Sequence, residues 1–288
     1  MAPSLALDRS RIDRALDGLV EVVEAGTANR CFPDRVTEGL GVCVKVGPAH
    51  ALRADGRALV YPENAICVRP PGCIWSVAAT GQVGFLSIDL APALLPTGIP
   101  RGAPMAFAAR GAAALPNIVH LARSLRAGAS DQRVQELAIE LVLAIEGAGL
   151  LAADELRQSA PRRMSSRVRE AMEASITDPP SLRGLASDLG ISRFTLLRCF
   201  KRDFGVTPHA YLLRLRVERA RQRLARGAEL AEVSQELGFA DQAHMSRVFK
   251  RVVGLTPGAY ARRAGTVGPP SEPRPHFRSR PGDGSGRE

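Results

Sequence analysis

The chain has 288 residues, of which 45% are hydrophobic and 24% charged, and its formal net charge is +10. This length suits two domains with packed cores better than one. No stretch approaches the ~20 consecutive apolar residues of a membrane helix, and the N-terminus becomes charged too early for a signal peptide, so we expect a cytoplasmic protein without a membrane partner.

The first predicted element is a helix over residues 8–25, because apolar residues recur there at helical spacing and Gly26 follows them. From about residue 36 to 90 the pattern changes to short β-favouring runs separated by turns that contain Gly and Pro. The clearest predicted strands are 41–46, 58–61, 65–68 and 83–88. Strands this short and closely spaced are typical of an antiparallel barrel or sandwich.

Helical spacing returns over residues 115–127 and 131–151. In the second of these helices, one apolar stripe consists of Val134, Leu137, Ala138, Leu141 and Ile145. Such a stripe either contacts a second subunit or packs on the chain's own barrel, and the pattern favours neither. The sequence therefore predicts an α+β protein with an N-terminal antiparallel β-barrel, flanking helices and an all-α C-terminal domain.

Positive charge is concentrated in one part of the chain. Residues 1–160 contain 15 Lys/Arg against 16 Asp/Glu, whereas residues 161–264 contain 20 against 10. Most of these basic residues are arginine, which contacts phosphates and pairs bidentately with guanine, so they indicate a nucleic-acid partner. We place one domain at 1–154, a polar linker at 155–165, a second domain at 166–264 and a disordered tail at 265–288.

The five cysteines include no CxxC pair, and their odd number argues against a disulfide framework. Four of them lie between residues 31 and 73, so a redox or metal sensor is an alternative. We interpret them as small apolar core residues, because free cysteine is among the most buried residue types.

The segment 181–263 contains one pattern twice. Leu182, Leu185, Leu189 and Gly190 recur 48 positions later as Leu230, Val233, Leu237 and Gly238. Beyond these glycines the offset is 49, so the second copy has one extra residue in its central turn. Each copy predicts a helix, a tight turn and a second helix. A two-repeat solenoid is disfavoured because solenoids usually need at least three repeats.

The second helix of each copy leaves a set of side chains facing outward, and this set combines basic, polar and apolar residues. In the first copy these are Arg193, Phe194, Leu197, Arg198 and Lys201, and in the second Gln242, His244, Ser246, Arg247 and Lys250. An outward Phe194 beside arginines suits contact with thymine methyl groups, while Arg198 reads a base edge. Residues 208–225 join the copies as one predicted helix about 27 Å long at 1.5 Å per residue.

The second copy resembles the AraC/XylS family of bacterial regulators in its most specific stretches. These are Gly238-Phe239-Ala240-Asp241-Gln242, Phe249-Lys250-Arg251 and Gly254-Leu255-Thr256-Pro257-Gly258-Ala259-Tyr260. Carried over by position, the resemblance implies base-reading residues at Arg193, Phe194, Leu197 and Arg198 and at Gln242, Ala243, His244, Ser246 and Arg247. It also implies promoter DNA and RNA polymerase as partners, a monomer or homodimer, and activation as the usual outcome.

Residues 60–72 resemble the cupin-like effector barrel of many family members. A metal-binding cupin has a histidine where this chain has Trp75, so we expect no metal, no cofactor and no enzymatic activity. We predict a small-molecule effector near His50, Tyr61, Trp75 and Phe85, because the only tryptophan lies at the turn of the barrel. An equal alternative is that Trp75 only fills the core.

Together these patterns predict a sequence-specific DNA-binding transcription regulator, with activation as its expected effect. Two alternatives come from other functional classes. One is an enzyme built on the cupin-like barrel, and the other is a protein that packages nucleic acid without sequence preference.

Overall fold

A computed structural model describes residues 11–28, 31–78, 82–96, 99, 103–109, 112–151 and 160–264. The strands are β1 (Arg11–Ala15), β2 (Val20–Ala28), β3 (Cys31–Val36), β4 (Leu40–Val46), β5 (His50–Ala54), β6 (Arg57–Tyr61), β7 (Ala65–Arg69), β8 (Ile74–Ala78), β9 (Gln82–Leu90) and β10 (Ala106–Ala109). The helices are α1 (Ala114–Arg126), α2 (Asp131–Gly147), α3 (Ala160–Ala174), α4 (Leu182–Asp188), α5 (Arg193–Phe204), α6 (Pro208–Ala225), α7 (Leu230–Glu236), α8 (Gln242–Val253) and α9 (Pro257–Ala264). We call residues 11–151 the β domain and residues 160–264 the helical domain.

The β domain consists of two antiparallel sheets. One has the strand order β1-β2-β9-β4-β7-β10 and the other the order β3-β8-β5-β6. Side chains of both sheets meet in an apolar cluster that includes Cys43, Leu52, Tyr61 and Cys67. The predicted antiparallel strands and the α+β class are confirmed, but the sheets form a barrel-like arrangement that is not closed.

The predicted helix over residues 8–25 is wrong. Its described residues form β1, a 3-10 turn (Leu16–Gly18) and β2; β1 pairs with β2, and β2 pairs with β9 along its whole length. Val20 and Val22 are completely buried on the face that packs on the core. Pairing with β9 places the valines of β2 on a pleated, half-buried surface, which suits β-branched residues. This segment is therefore a strand, although its apolar residues recur at helical spacing.

The apolar stripe of α2 packs within the β domain. Val134, Leu137, Ala138, Leu141 and Ile145 are buried with α1 and the strands of the six-stranded sheet in one core. The structure therefore supports the second alternative for this stripe, in which it packs on the chain's own sheet. On the opposite face of α2, Ile139 and Leu143 are 46% and 59% exposed.

The helical domain has two apolar cores, one for each copy of the repeat. Its first helix, α3, begins at Ala160, so the C-terminal part of the predicted linker, 160–165, is helical and forms part of this domain. Residues 155–159 and the predicted tail at 265–288 lie outside the described residues. Within the part of the chain that the structure describes, no helix is long and apolar enough to cross a membrane.

A turn of the β domain lies directly against the helical domain. Gly56, between β5 and β6, has φ +73°, and Gly205, which ends α5, has φ +77°. A Cβ atom on Gly205 would lie 2.8 Å from the Cα of Gly56. Both positions therefore require glycine, because each backbone is in the left-handed region and the two approach too closely for a side chain.

Buried ion pairs also join the two domains, and we call this set the interdomain clamp (Arg14, Glu21, Arg35, Glu218 and Arg221). Arg221 of α6 donates to Glu21 of β2 at 2.6 Å, and Arg35 of β3 donates to Glu218 of α6 at 3.0 Å. Burial alone would raise the pKa of Glu21, but Arg221 and Arg14 outweigh it and hold the pKa at about 2. Glu21 is therefore ionised at neutral pH.

Candidate nucleic-acid interface

The first helix-turn-helix unit is formed by α4 and α5. Ser181 and Ser192 cap the two helices, since their hydroxyl groups accept from the backbone N–H of Gly184 at 3.0 Å and of Thr195 at 3.1 Å. Gly190 ends the first helix with φ +64°. These local signals fix the direction in which α5 leaves the turn, and with it the side chains that α5 presents.

Helix α5 has one buried and one exposed face. Leu196 and Phe200 are 1% and 0% exposed, whereas Phe194 is 71% exposed. The predicted contact residues Arg193, Arg198 and Lys201 are also exposed, and Leu197 is half-buried. The guanidinium carbon of Arg198 lies 5.9 Å from the ring centroid of Phe194, so the two exposed side chains form a cation–π contact on the outer face.

The second unit is formed by α7 and α8. Asp241 caps α8 by accepting from the backbone N–H of His244. This cap follows Gly238 by three positions, whereas Ser192 follows Gly190 by two, and this accounts for the extra residue in the second turn. The structure confirms the helix-turn-helix geometry that the repeat predicts in both copies.

The predicted contact residues of α8 differ in exposure. Those on the exposed face are Gln242, Ala243, Arg247 and Lys250. Ser246 and His244 are half-buried, and the His244 ring packs edge-on against Phe239 at a centroid distance of 5.7 Å. The outer face of α8 is therefore more polar than that of α5, and His244 has less freedom than its neighbours.

A buried arginine braces the second turn, and the sequence pattern did not indicate it. Arg216 of α6 is 8% exposed and donates to the carbonyl oxygens of Ile176, Thr177 and Gly238. These contacts tie α6 to the loop before α4 and to the turn of the second unit. Since three of the five arginines of α6 are half-buried and two are buried, charge spacing alone could not distinguish Arg216.

In the β domain, the structure brings the predicted effector residues to the region of one apolar cluster. Tyr61 belongs to this cluster, Trp75 and Phe85 pack against it, and the His50 ring lies 5.2 Å from that of Tyr61. The Tyr61 hydroxyl donates to the carbonyl oxygen of Cys43 at 2.8 Å. We call these side chains and their apolar neighbours the inner cluster.

A buried lysine beside the inner cluster was missed, although a lysine inside the apolar run 41–46 is a usable signal. Lys45 is 1% exposed and donates to the carbonyl oxygens of Pro48 at 2.6 Å and Tyr61 at 3.2 Å. Its Nζ also lies 3.4 Å from Nδ1 of His50. Burial lowers the pKa of Lys45, and burial together with Lys45 lowers the pKa of His50.

This pair predicts a pH dependence of stability. Since the pKa of His50 in the folded chain lies below its ordinary value of 6.5, the unfolded chain takes up the proton more readily. The free energy of unfolding should therefore fall as pH decreases through 6.5. His50→Gln should flatten that slope in chemical denaturation measured at several pH values, and His209→Gln, at an exposed position of α6, should not. An unchanged slope in His50→Gln would contradict the assignment.

The repeated motif matches known proteins. A family model described as "Helix-turn-helix domain" matches residues 185–263. A Streptomyces lividans protein assigned as an AraC-like transcription regulator is 40% identical over 77 residues, which is 26% of this chain and 25% of that protein. This chain therefore spans only about a quarter of that relative's length. The transcriptional activator NphR of Rhodococcus sp is 27% identical over 265 residues, covering 88% of this chain and 69% of NphR.

A solved structure shares the whole arrangement. ToxT from Vibrio cholerae O395 aligns with a TM-score of 0.53 at 12% identity, covering 86% of this chain and 99% of ToxT. At that identity the likeness concerns the fold, namely a β domain followed by a helical domain with two helix-turn-helix units. With the duplicated motif, the family match and the AraC-like relatives, residues 185–263 form a helix-turn-helix domain of the kind found in AraC-like transcription regulators.

Proposed function

We propose that this protein is a sequence-specific DNA-binding transcription regulator that reads promoter DNA with α5 and α8. The observation that carries the proposal is that both second helices present exposed arginines, Arg198 and Arg247, at the same position of the repeat. A helix of this type enters the major groove and places its outer side chains against base edges. Neither arginine is needed for the core of its own unit.

The spacing of the two units supports binding to one face of DNA. They are joined by α6, whose 18 residues give a length of about 27 Å at 1.5 Å per residue. One turn of DNA is ~34 Å long, so two recognition helices separated by such a helix can reach successive major grooves. We therefore expect an operator of two boxes about one helical turn apart.

Removing either exposed arginine tests the assignment of base-reading residues. Arg198→Ala and Arg247→Ala should each weaken binding to a specific site by ~1–3 kcal/mol and relax the choice of base at a few adjacent positions. Lys201→Ala, which removes a phosphate contact, should instead weaken binding to all sequences alike. Competition assays with single-base variants of the site measure both effects. Uniform weakening by the arginine variants would assign them to phosphates.

For the β domain, the proposal is a sensing site for a small apolar acid at the inner cluster. ToxT has been solved with an unsaturated fatty acid and with (E)-4-(8-methylnaphthalen-1-yl)but-3-enoic acid. In this chain, the apolar inner cluster adjoins Lys45, for which no carboxylate of the described residues lies within ion-pair distance. A carboxylate is the natural partner for such a buried ammonium group.

A thermal-shift titration with oleate tests the sensing site. Oleate should raise the Tm of the native chain, and Lys45→Met should respond less because it keeps the apolar volume but loses the charge. Arg53→Met, at an exposed position of the neighbouring β5, is the matched control. An equal response in Lys45→Met would contradict the role of Lys45, and no response in the native chain would contradict this ligand class.

We propose that the protein acts in the cytoplasm at promoters, as an activator that contacts RNA polymerase, and that it forms a homodimer. The exposed Ile139 and Leu143 on α2 are the surface we would test first for the subunit contact. We propose no catalytic role, in keeping with the regulators among its relatives.

A further inference from the structure

Trp75 lies where the inner cluster meets the boundary between the domains. It is the chain's only tryptophan and is half-buried. Its ring packs against the inner cluster, and it also lines a cleft between β domain and α6 together with Arg35 and Glu218. The same side chain thus contacts the predicted sensing site and borders the interdomain clamp.

Arg35 connects Trp75 to the helical domain. Arg35 and Trp75 are direct partners in the pairing of β3 with β8, and the guanidinium carbon lies 5.7 Å from the centroid of the indole. The same guanidinium donates to Glu218 of α6 at 3.0 Å. Arg35 therefore contacts both the indole of Trp75 and a carboxylate of α6.

Strand β3 is also in contact with the second predicted reading helix. Both α6 and α8 lie against β3, the strand that carries Arg35. DNA that binds the outer face of α8 therefore acts on an element in direct contact with β3. A second arginine of the β domain also contacts Trp75, since the guanidinium carbon of Arg69 lies 4.5 Å from the ring centroid.

We propose that Trp75 and Arg35 link occupancy of the inner cluster to occupancy of the DNA interface. The link has two arrangements, one with Arg35 paired to Glu218 and one with Arg35 released. This inference rests on the proposed function, since it requires DNA at α8. Because coupling between two sites is reciprocal, DNA binding shifts the Arg35–Trp75 contact just as a ligand beside Trp75 shifts DNA affinity.

Emission from the single tryptophan tests the link in the full-length protein. A duplex carrying the selected two-box site is added while Trp75 emission is recorded, and the anisotropy of the labelled duplex gives DNA occupancy. In the native chain the emission should change in step with occupancy. Arg35→Met should still bind the duplex but lose the emission change. Arg53→Met, which alters an exposed strand neighbour of Ser76 next to Trp75, should keep it.

The possible outcomes distinguish a failure of the proposed link through Trp75 and Arg35 from a failure of the DNA-binding function. Bound DNA with unchanged emission in the native chain, or the full emission change in Arg35→Met, would overturn the link and leave the DNA-binding function intact. No DNA binding by the native chain would overturn both. If Arg35→Met does not fold, Glu218→Gln weakens the same ion pair from the α6 side and should show the same loss.

Discussion

Replacing Arg221 with methionine is expected to lower the free energy of unfolding by at most ~3–5 kcal/mol, because Glu21 then keeps only Arg14 and Glu218 keeps only Arg35 as an ion-pair partner. Arg221 is 9% exposed in its side chain and donates to both Glu21 and Glu218. Without it, two carboxylates remain buried between the domains. Urea denaturation of the full-length variant at neutral pH measures the loss.

A matched control lies two residues further along the same helix. Arg223 pairs with Glu236 at 2.7 Å, but the two side chains are 43% and 48% exposed. Arg223→Met should therefore cost at most ~1 kcal/mol, as is usual for an exposed pair. Equal effects of the two variants would contradict a buried clamp. The contribution of the clamp to stability should also fall as pH decreases from 4.5 towards about 2, because Glu21 takes up a proton in the unfolded chain before it does so in the folded chain.

Two phenylalanines of α5 are expected to separate stability from DNA binding. Phe200 is completely buried against Phe204 and Tyr211, with ring centroids 4.7 and 5.9 Å away. Phe200→Ala should cost ~3–5 kcal/mol of stability, because the transfer free energy is lost and a cavity remains. Phe194→Ala, at a position 71% exposed, should change stability by no more than ~0.5 kcal/mol.

In DNA binding, measured at a temperature where both variants are folded, Phe194→Ala should have the larger effect of the two. Phe194→Ala should weaken binding to sites with thymine at the contacted position and leave other sites nearly unchanged, because it removes contact with the thymine methyl. Paired denaturation curves and mobility-shift assays provide the comparison. A Phe194→Ala variant that is unstable, or that binds as the native chain does, would contradict the assignment of this face.

The helical domain could be predicted closely because its signals are local. Ser181 and Gly190 set the beginning and the end of α4, and Ser192 sets the beginning of α5. The repeat predicts the same arrangement in α7 and α8. The bounds of α6, Pro208–Ala225, agree with the predicted helix. The outward faces follow from those bounds because side chains on a helix have a fixed period.

The errors and omissions involve contacts between distant parts of the chain. Residues 11–15 and 20–25 form strands because β9, far along the sequence, pairs with β2. Glu21 and Arg221 are separated by 200 positions, so no local pattern indicates that they form a buried pair. Arg35 and Trp75 pair across strands only once β3 and β8 are in register. The exposed faces of α5 and α8 could be predicted from the sequence, whereas the interdomain clamp could not.

The most direct test of the central claim is selection of binding sites from random duplex DNA by the full-length protein at physiological salt. If α5 and α8 both read DNA, the selected sequences should share two boxes with centres about one helical turn (~10 bp) apart. The Arg198→Ala and Arg247→Ala variants should each lose preference in a different box. Recovery of DNA without any common motif would contradict sequence-specific reading by these two helices.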